Sequence, residues 1–221
     1  MEYSYLLLNM NSITQQIIET LKEAKIIVAP KIDSLNSAPH VIEALQEGGI
    51  SCVEITLRTP ISLDIMKLVR TQFPEMNVMA GTIINSEQVA QVQDLGALVG
   101  VAPGIQTKII ERAAELNFPF IPGIATPSEI ALGLDYGCQI FKFFPAELLG
   151  GINFLKRVYA SYAHKGVQFI PLGGIDQSSA RNYLDHPSIL SVGGSWIASS
   201  SLVQSENWTE ITKRAEYARA L

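Results

Sequence analysis

"KIIVAPKIDS" (residues 25–34) joins an apolar, β-branched run to a polar loop that holds a proline and no glycine. The run KIIVAP (25–30) suits a strand buried on both faces, since isoleucine and valine favour the pleated backbone. The residues after it decide between two architectures. An open, doubly wound sheet normally places a glycine-rich, phosphate-cradling turn after its first strand. Here the chain reads APKIDS (29–34) instead, which a closed barrel accommodates without difficulty.

Seven further runs repeat the pattern: ISCVEIT (50–56), NVMAGT (77–82), ALVGVAP (97–103), FPFIPG (118–123), QIFKFFP (139–145), VQFIPLGG (167–174) and ILSVGG (189–194). Their starts lie 20–28 residues apart, room for a strand, a helix and two short loops. Helical signals fill the gaps. SAPHVIEALQEGG (37–49) ends on a Gly-Gly stop, and NSEQVAQVQDLGA (85–97) opens on Asn85 or Ser86 as N-cap. TPSEIALGLDYGC (126–138) has Thr126 as N-cap, Pro127 in the first turn and Gly137 as stop. IDQSSARNYLDH (175–186) begins with an Asp cap, and helix is also expected over 11–24 and 206–221. Strict alternation implies parallel strands with right-handed crossovers. Eight units close most simply into a (β/α)8 TIM barrel, a single domain over 1–221 with an extra N-terminal helix.

Of the 221 residues 48% are hydrophobic and 17% charged, with net charge −5, which excludes a disordered chain. No basic run or stripe is present, so nucleic acid is not an expected partner. MEYSYLLLNM (1–10) lacks a basic flank and is too short in its apolar part for a signal peptide, and no run is long enough for a membrane span. A soluble, cytoplasmic setting is expected. Cys52 and Cys138 sit inside apolar runs and read as small packing residues. His40, His164 and His186 have no metal-ligand spacing.

In a barrel the active site lies at the C-terminal ends of the strands, and the unusual residues collect there. Lys142 interrupts the apolar run QIFKFFP, although lysine is costly to bury without a partner. Alternation places Lys142 and Phe144 on one face, with Phe141 and Phe143 on the other, against helices. In the second run Glu54, Thr56 and Arg58 share a face. The second and sixth strands of a ring of eight face each other, so Glu54 and Lys142 can meet inside it. An exposed lysine is almost wholly protonated at neutral pH. Desolvation beside Phe144 and a guanidinium at Arg58 both favour the neutral amine, which attacks a ketone to give a Schiff base. Glu54 can shuttle the protons. PLGGID (171–176) and VGGSWI (192–197) follow the last two strands, where barrel enzymes often hold a phosphate on backbone N–H groups. Ser195 adds a hydroxyl there, and the segment from Trp196 is expected to supply a helix N-terminus. Thr82 and Pro103 stand at strand mouths, and taken alone each reads as a turn or capping residue.

VEITLRTP, AGTIIN, APG, IPGIATPSE, FKFFPAE, PLGGI and VGGSW, in that order, resemble the 2-keto-3-deoxy-6-phosphogluconate (KDPG) / 4-hydroxy-2-oxoglutarate (KHG) aldolases, the Entner–Doudoroff class I aldolase family. The resemblance runs from about residue 13 to near the end of the chain. It implies Lys142 as the Schiff-base lysine and Glu54 as general acid/base. It further implies Arg58 and Thr82 on the pyruvyl carboxylate, and Pro103 and Phe144 shaping the pocket. Gly173, Gly174, Gly193, Gly194 and Ser195 would hold a distal phosphate. It implies a homotrimeric (β/α)8 barrel with an extra N-terminal helix, a small keto-acid substrate, and no metal or organic cofactor. Met79, Ala102 and Leu172 depart from the family pattern, which has glycine, serine and threonine there. So does VAPKIDS at the end of the first run. Leu172 bears on the preferred aldehyde rather than on the Schiff base. The alternatives are a phosphate-binding barrel isomerase or epimerase, and a catalytically idle family member.

Overall fold

The computed structural model describes residues 15–221, so MEYSYLLLNM and the first part of the expected 11–24 helix lie outside the described residues. Helix α1 covers 15–24. It is followed by β1 (Ile26–Val28), α2 (Ser37–Glu47), β2 (Cys52–Thr56), α3 (Ser62–Gln72), β3 (Asn77–Gly81), α4 (Ser86–Asp94), β4 (Val99–Val101) and α5 (Thr107–Glu115). Then come β5 (Phe120–Ile121), β6 (Gly123–Ile124), α6 (Pro127–Asp135), β7 (Ile140–Phe143), α7 (Gly151–Tyr162), β8 (Gln168–Pro171), α8 (Ala180–Leu184), β9 (Val192–Gly194), α9 (Ser200–Gln204) and α10 (Trp208–Arg219).

All paired strands are parallel, in the orders β5-β4-β3-β2-β1-β9 and β6-β7-β8. The fold is α/β, with parallel strands curled into a half-barrel of TIM-like type. The expected fifth strand is split: Pro122, which has no N–H to give a ladder, separates β5 from β6. The expected run 189–194 is regular only from Val192, preceded by a single bridge between Ile189 and Phe169.

Local chemistry sets the helix starts. Asn85 with Gln88, and Thr126 with Glu129, form reciprocal capping boxes. The expected 175–186 helix shrinks to Ala180–Leu184. Asp176 nevertheless caps as expected: its carboxylate accepts the N–H groups of Ser178 and Ser179 at 2.9 and 3.0 Å and its carbonyl accepts from Ala180 N–H at 3.0 Å, so residues 177–179 form a turn leading into the helix. No described helix is long and apolar enough to cross a membrane.

Two buried clusters lie on opposite faces of the strands. Outside, Val53, Ile55, Phe141, Phe143 and Phe169 pack on the helices. Inside, Ile27, Cys52, Met79, Val99, Ile121, Ile140 and Ile170 pack together, joined by Ile17, Leu21 and Ala24 of α1. The odd–even alternation of β2 and β7 therefore turns Glu54 and Lys142 inward. Leu21 is fully buried in that inner cluster. Leu21→Ala is expected to cost about 2–5 kcal/mol through lost burial and a residual cavity. Urea unfolding would register this as a lowered midpoint; an unchanged midpoint would mean that α1 contributes nothing to the core.

Candidate active site

Lys142 and Glu54 are 3% and 1% exposed, the interior placement that alternation predicts. Lys142 Nζ donates to both carboxylate oxygens of Glu54, at 2.9 Å to Oε1 and 3.1 Å to Oε2. The two residues are 88 apart in the chain, and only the curl of the strands brings them together. The Phe144 ring centroid lies 5.4 Å from Nζ, close enough for a cation–π contact. A charge pair this close, with both groups out of water, is arranged for direct proton exchange between amine and carboxylate.

Space for the carboxylate comes from a neighbouring strand. A Cβ on Gly81 would collide with the Glu54 side chain, so only glycine fits there. Next to it, Thr82 holds φ +61°. A β-branched residue in the left-handed region is a genuine outlier, costing on the order of 1–3 kcal/mol. That backbone presents Thr82 Oγ1 to Arg58 Nε, which donates to it at 3.3 Å. Pro103 enters from the other side: its backbone leans so closely over Gly123, the register partner of Lys142, that no side chain fits at 123.

A cavity of about 460 Å³ opens over the pair. Glu54, Arg58, Lys142 and Phe144 line it, together with Gly173, Gly174, Gly194 and Ser195. Thr82, Pro103 and Gly193 are not on its wall. Gly173 and Gly174 have φ +99° and +83°, the left-handed backbone that glycine alone adopts without strain. Gly193 behaves differently. It sits inside β9 in register with Ile27, and a Cβ there would strike the Leu172 side chain. The expected helix at Trp196 is also displaced: α9 starts only at Ser200 and is five residues long.

The family model described as "KDPG and KHG aldolase" matches residues 17–214. The chain belongs to the KDPG/KHG aldolase family. It is 39% identical to 2-dehydro-3-deoxy-phosphogluconate aldolase of Haemophilus influenzae over 91% of this chain and 94% of that protein. It is 36% identical to the KHG/KDPG aldolase of Escherichia coli, over 95% and 96% of the two chains. Among solved structures, KDPG aldolase of Legionella pneumophila, with pyruvate captured at low pH as a covalent carbinolamine, superposes at TM-score 0.84 with 35% identity, covering 90% of this chain and 96% of that one. The Zymomonas mobilis KDPG aldolase with 3-phosphoglycerate gives TM-score 0.84 and 35% identity, covering 92% and 95%. The protein is therefore an aldolase, a carbon–carbon lyase.

The departures from the aldolase pattern acquire positions. Met79 is in register with Glu54 and belongs to the inner cluster. Ala102 is buried on the helix side. Leu172 lies on the cavity wall and uses the space that Gly193 vacates.

Three contributors escaped sequence reasoning. Gly81 and Gly123 are defined by what crowds them from other strands, a signal absent from their own neighbourhoods. The third is Glu147, in FKFFPAE but not singled out. Its N–H donates to the Gly173 carbonyl at 3.0 Å, and its carboxylate accepts from the Tyr183 hydroxyl at 2.5 Å. Glu147 thus ties the glycine turn to α8.

Both thiols are buried. Burial, helped by the Glu54 charge, pushes Cys52 up to about 12, and burial alone does the same for Cys138. Both should resist a thiol-exchange reagent at about pH 8 and react fully once unfolded, where a thiol ionises near 8.5. The stability they contribute is complete below that unfolded value and fades as pH climbs toward the folded one. Fast labelling of the native protein would contradict this. Gly81→Ala should displace the Glu54 carboxylate and lower kcat/KM at least about 100-fold while circular dichroism stays native. Wild-type activity would show that the carboxylate does not need that space.

Proposed function

We propose that this protein is a class I aldolase that cleaves 2-keto-4-hydroxy acids through a Schiff base on Lys142. The observation that carries the reading is the buried Lys142–Glu54 pair beneath an open cavity. A lysine held against one carboxylate at the floor of a cavity has a proton acceptor within reach, which lets it act as a nucleophile. The covalent carbinolamine in the Legionella relative supports the same chemistry.

The neutral Nζ adds to the C2 carbonyl, whose oxygen takes a proton to give a carbinolamine. A second proton lets that oxygen depart as water and leaves an iminium. Glu54 exchanges these protons and then removes the one on the 4-hydroxyl. The C3–C4 electrons flow into the iminium, an aldehyde leaves, and an enamine of pyruvate remains. Protonation at C3 and addition of water return pyruvate and the free amine.

Arg58, oriented by Thr82, binds the C1 carboxylate, Phe144 walls the pyruvyl unit while Pro103 acts from behind Gly123, and Gly173, Gly174, Gly194 and Ser195 take a distal phosphate. Gly193 acts at one remove, by making room for Leu172. The substrate is 2-dehydro-3-deoxy-6-phosphogluconate, giving glyceraldehyde 3-phosphate, or 4-hydroxy-2-oxoglutarate, giving glyoxylate; the relatives' names cover both. No metal or organic cofactor takes part in this scheme.

The same reading makes the two sheets arcs of one eight-stranded barrel, a single domain. Two links support closure: Lys142 N–H donates to the Pro122 carbonyl at 2.9 Å, and Leu190 N–H to Phe169 at 2.9 Å, which joins β8 to the approach to β9. Helix α1 is then the extra N-terminal helix that plugs the barrel floor. The family resemblance adds a homotrimer in the cytoplasm, with no nucleic-acid or membrane partner.

Borohydride added with pyruvate should trap a covalent adduct that peptide mass mapping places on Lys142, and Lys142→Met should abolish it. Glu54→Gln should lower kcat by about 10²–10⁴-fold. A wild-type chain that forms no adduct, or a Lys142→Met variant that still turns over, would reject the mechanism.

A further inference from the structure

The cavity has two ends, and its charges are unevenly committed. Its lining holds three cationic side chains, Lys31, Arg58 and Lys142, and two acidic ones, Asp33 and Glu54. Lys142 is engaged by both oxygens of Glu54, and Arg58 by Thr82. Lys31 differs. Its ammonium lies 3.9 Å from Asp33, an ion pair too long for a hydrogen bond, with side chains 62% and 44% exposed. Such a pair contributes little to stability. As a device for the fold, two opposite charges on a cavity-lining loop achieve almost nothing.

The position of that loop gives the pair a use. Val28 of β1 is in register with Gly194 of β9, and Ala29 N–H donates to the Gly194 carbonyl at 2.9 Å. Lys31 therefore leaves β1 beside the Gly194–Ser195 turn. Residue 172, on the wall of the same cavity, is leucine and supplies no side-chain donor. Backbone N–H groups at the glycine turns can orient an anion, and a cation beside them adds a charge-assisted contact that a doubly charged group uses most.

We propose that Lys31 and Asp33 form a specificity pair for the distal end of the substrate: Lys31 binds a phosphate ester, and Asp33 holds Lys31 over the cavity until the phosphate replaces it. This rests on the aldolase reading above. Asp33 also repels the incoming phosphate, so the pair sets how strongly charge at that end is favoured.

The test compares kcat/KM for 2-keto-3-deoxy-6-phosphogluconate and for its unphosphorylated analogue, as a ratio that cancels effects common to both. Lys31→Gln should lower that ratio about tenfold, the size of one partly exposed charge-assisted contact. Asp33→Asn should raise it. Lys67→Gln, on the exposed face of α3, is the control and should leave it unchanged. The wild-type ratio should fall with added salt, and that of Lys31→Gln should fall less. An unchanged ratio in Lys31→Gln would overturn the proposal. A selective loss of activity on 4-hydroxy-2-oxoglutarate would overturn the assignment to phosphate, since it would mean that Lys31 reads a second carboxylate. Failure of the aldolase reading itself is separately visible, because the unmodified chain would then give no borohydride adduct with pyruvate.

Discussion

Two opposite charges removed from water, each the other's partner, govern the interior of this protein. Desolvating an ammonium and a carboxylate costs several kcal/mol per ion, and their attraction offsets this only when the geometry is close and the remaining valences are met. Here both carboxylate oxygens accept from Nζ. The surroundings are arranged around that requirement. Gly81 leaves the volume the carboxylate occupies, Met79 fills the level beside it, and Phe144 covers the amine. Phe141 and Phe143 anchor the same strand from the helix side, so Lys142 cannot turn outward without pulling two aromatic rings off the helices.

Such an arrangement is a poor stabiliser. Apolar residues of similar volume would do as well or better, whereas removing one partner leaves an unpaired buried charge. Its retention makes sense as chemistry, because the balance of charge is settled by one proton. The strain at Thr82 belongs to the same logic. A φ of +61° at a β-branched residue is tolerated beside the pair because it presents a hydroxyl to Arg58. Stability has been relinquished at these positions, and the inner cluster from Ile27 to Ile170 supplies it elsewhere.

What could be read in the sequence follows from how far each effect reaches. Alternation within a strand is local, so the inward turn of Glu54 and Lys142 is visible in CVEIT and IFKF alone. Parallel pairing follows from the order of elements, and the caps at Asn85 and Thr126 follow from residues three positions apart. Effects that depend on distant neighbours were hidden. Gly193 looked like half of an anion-binding turn, and its crowding by Leu172 makes it a packing glycine instead. Asp176 does cap the turn after it, yet the regular helix expected over 175–186 is confined to Ala180–Leu184. The Glu147–Tyr183 contact, 36 residues apart, has no local signature at all.

The two ends of the cavity answer to different constraints. At the pyruvyl end the reacting pair is fixed by strands, Lys142 by β7 and Glu54 by β2, and Thr82 follows directly on β3. A change there moves a reacting atom, and displacements near one ångström already cost orders of magnitude in rate. At the other end the contacts come from loops after β1, β8 and β9, whose side chains can be exchanged without shifting the ladder beneath them. Leu172, Lys31 and Asp33 all lie at that end, on the wall of one cavity. Variation in an aldolase of this architecture should therefore accumulate where the aldehyde leaves, while the amine, its carboxylate and the glycine that makes room for them stay as they are.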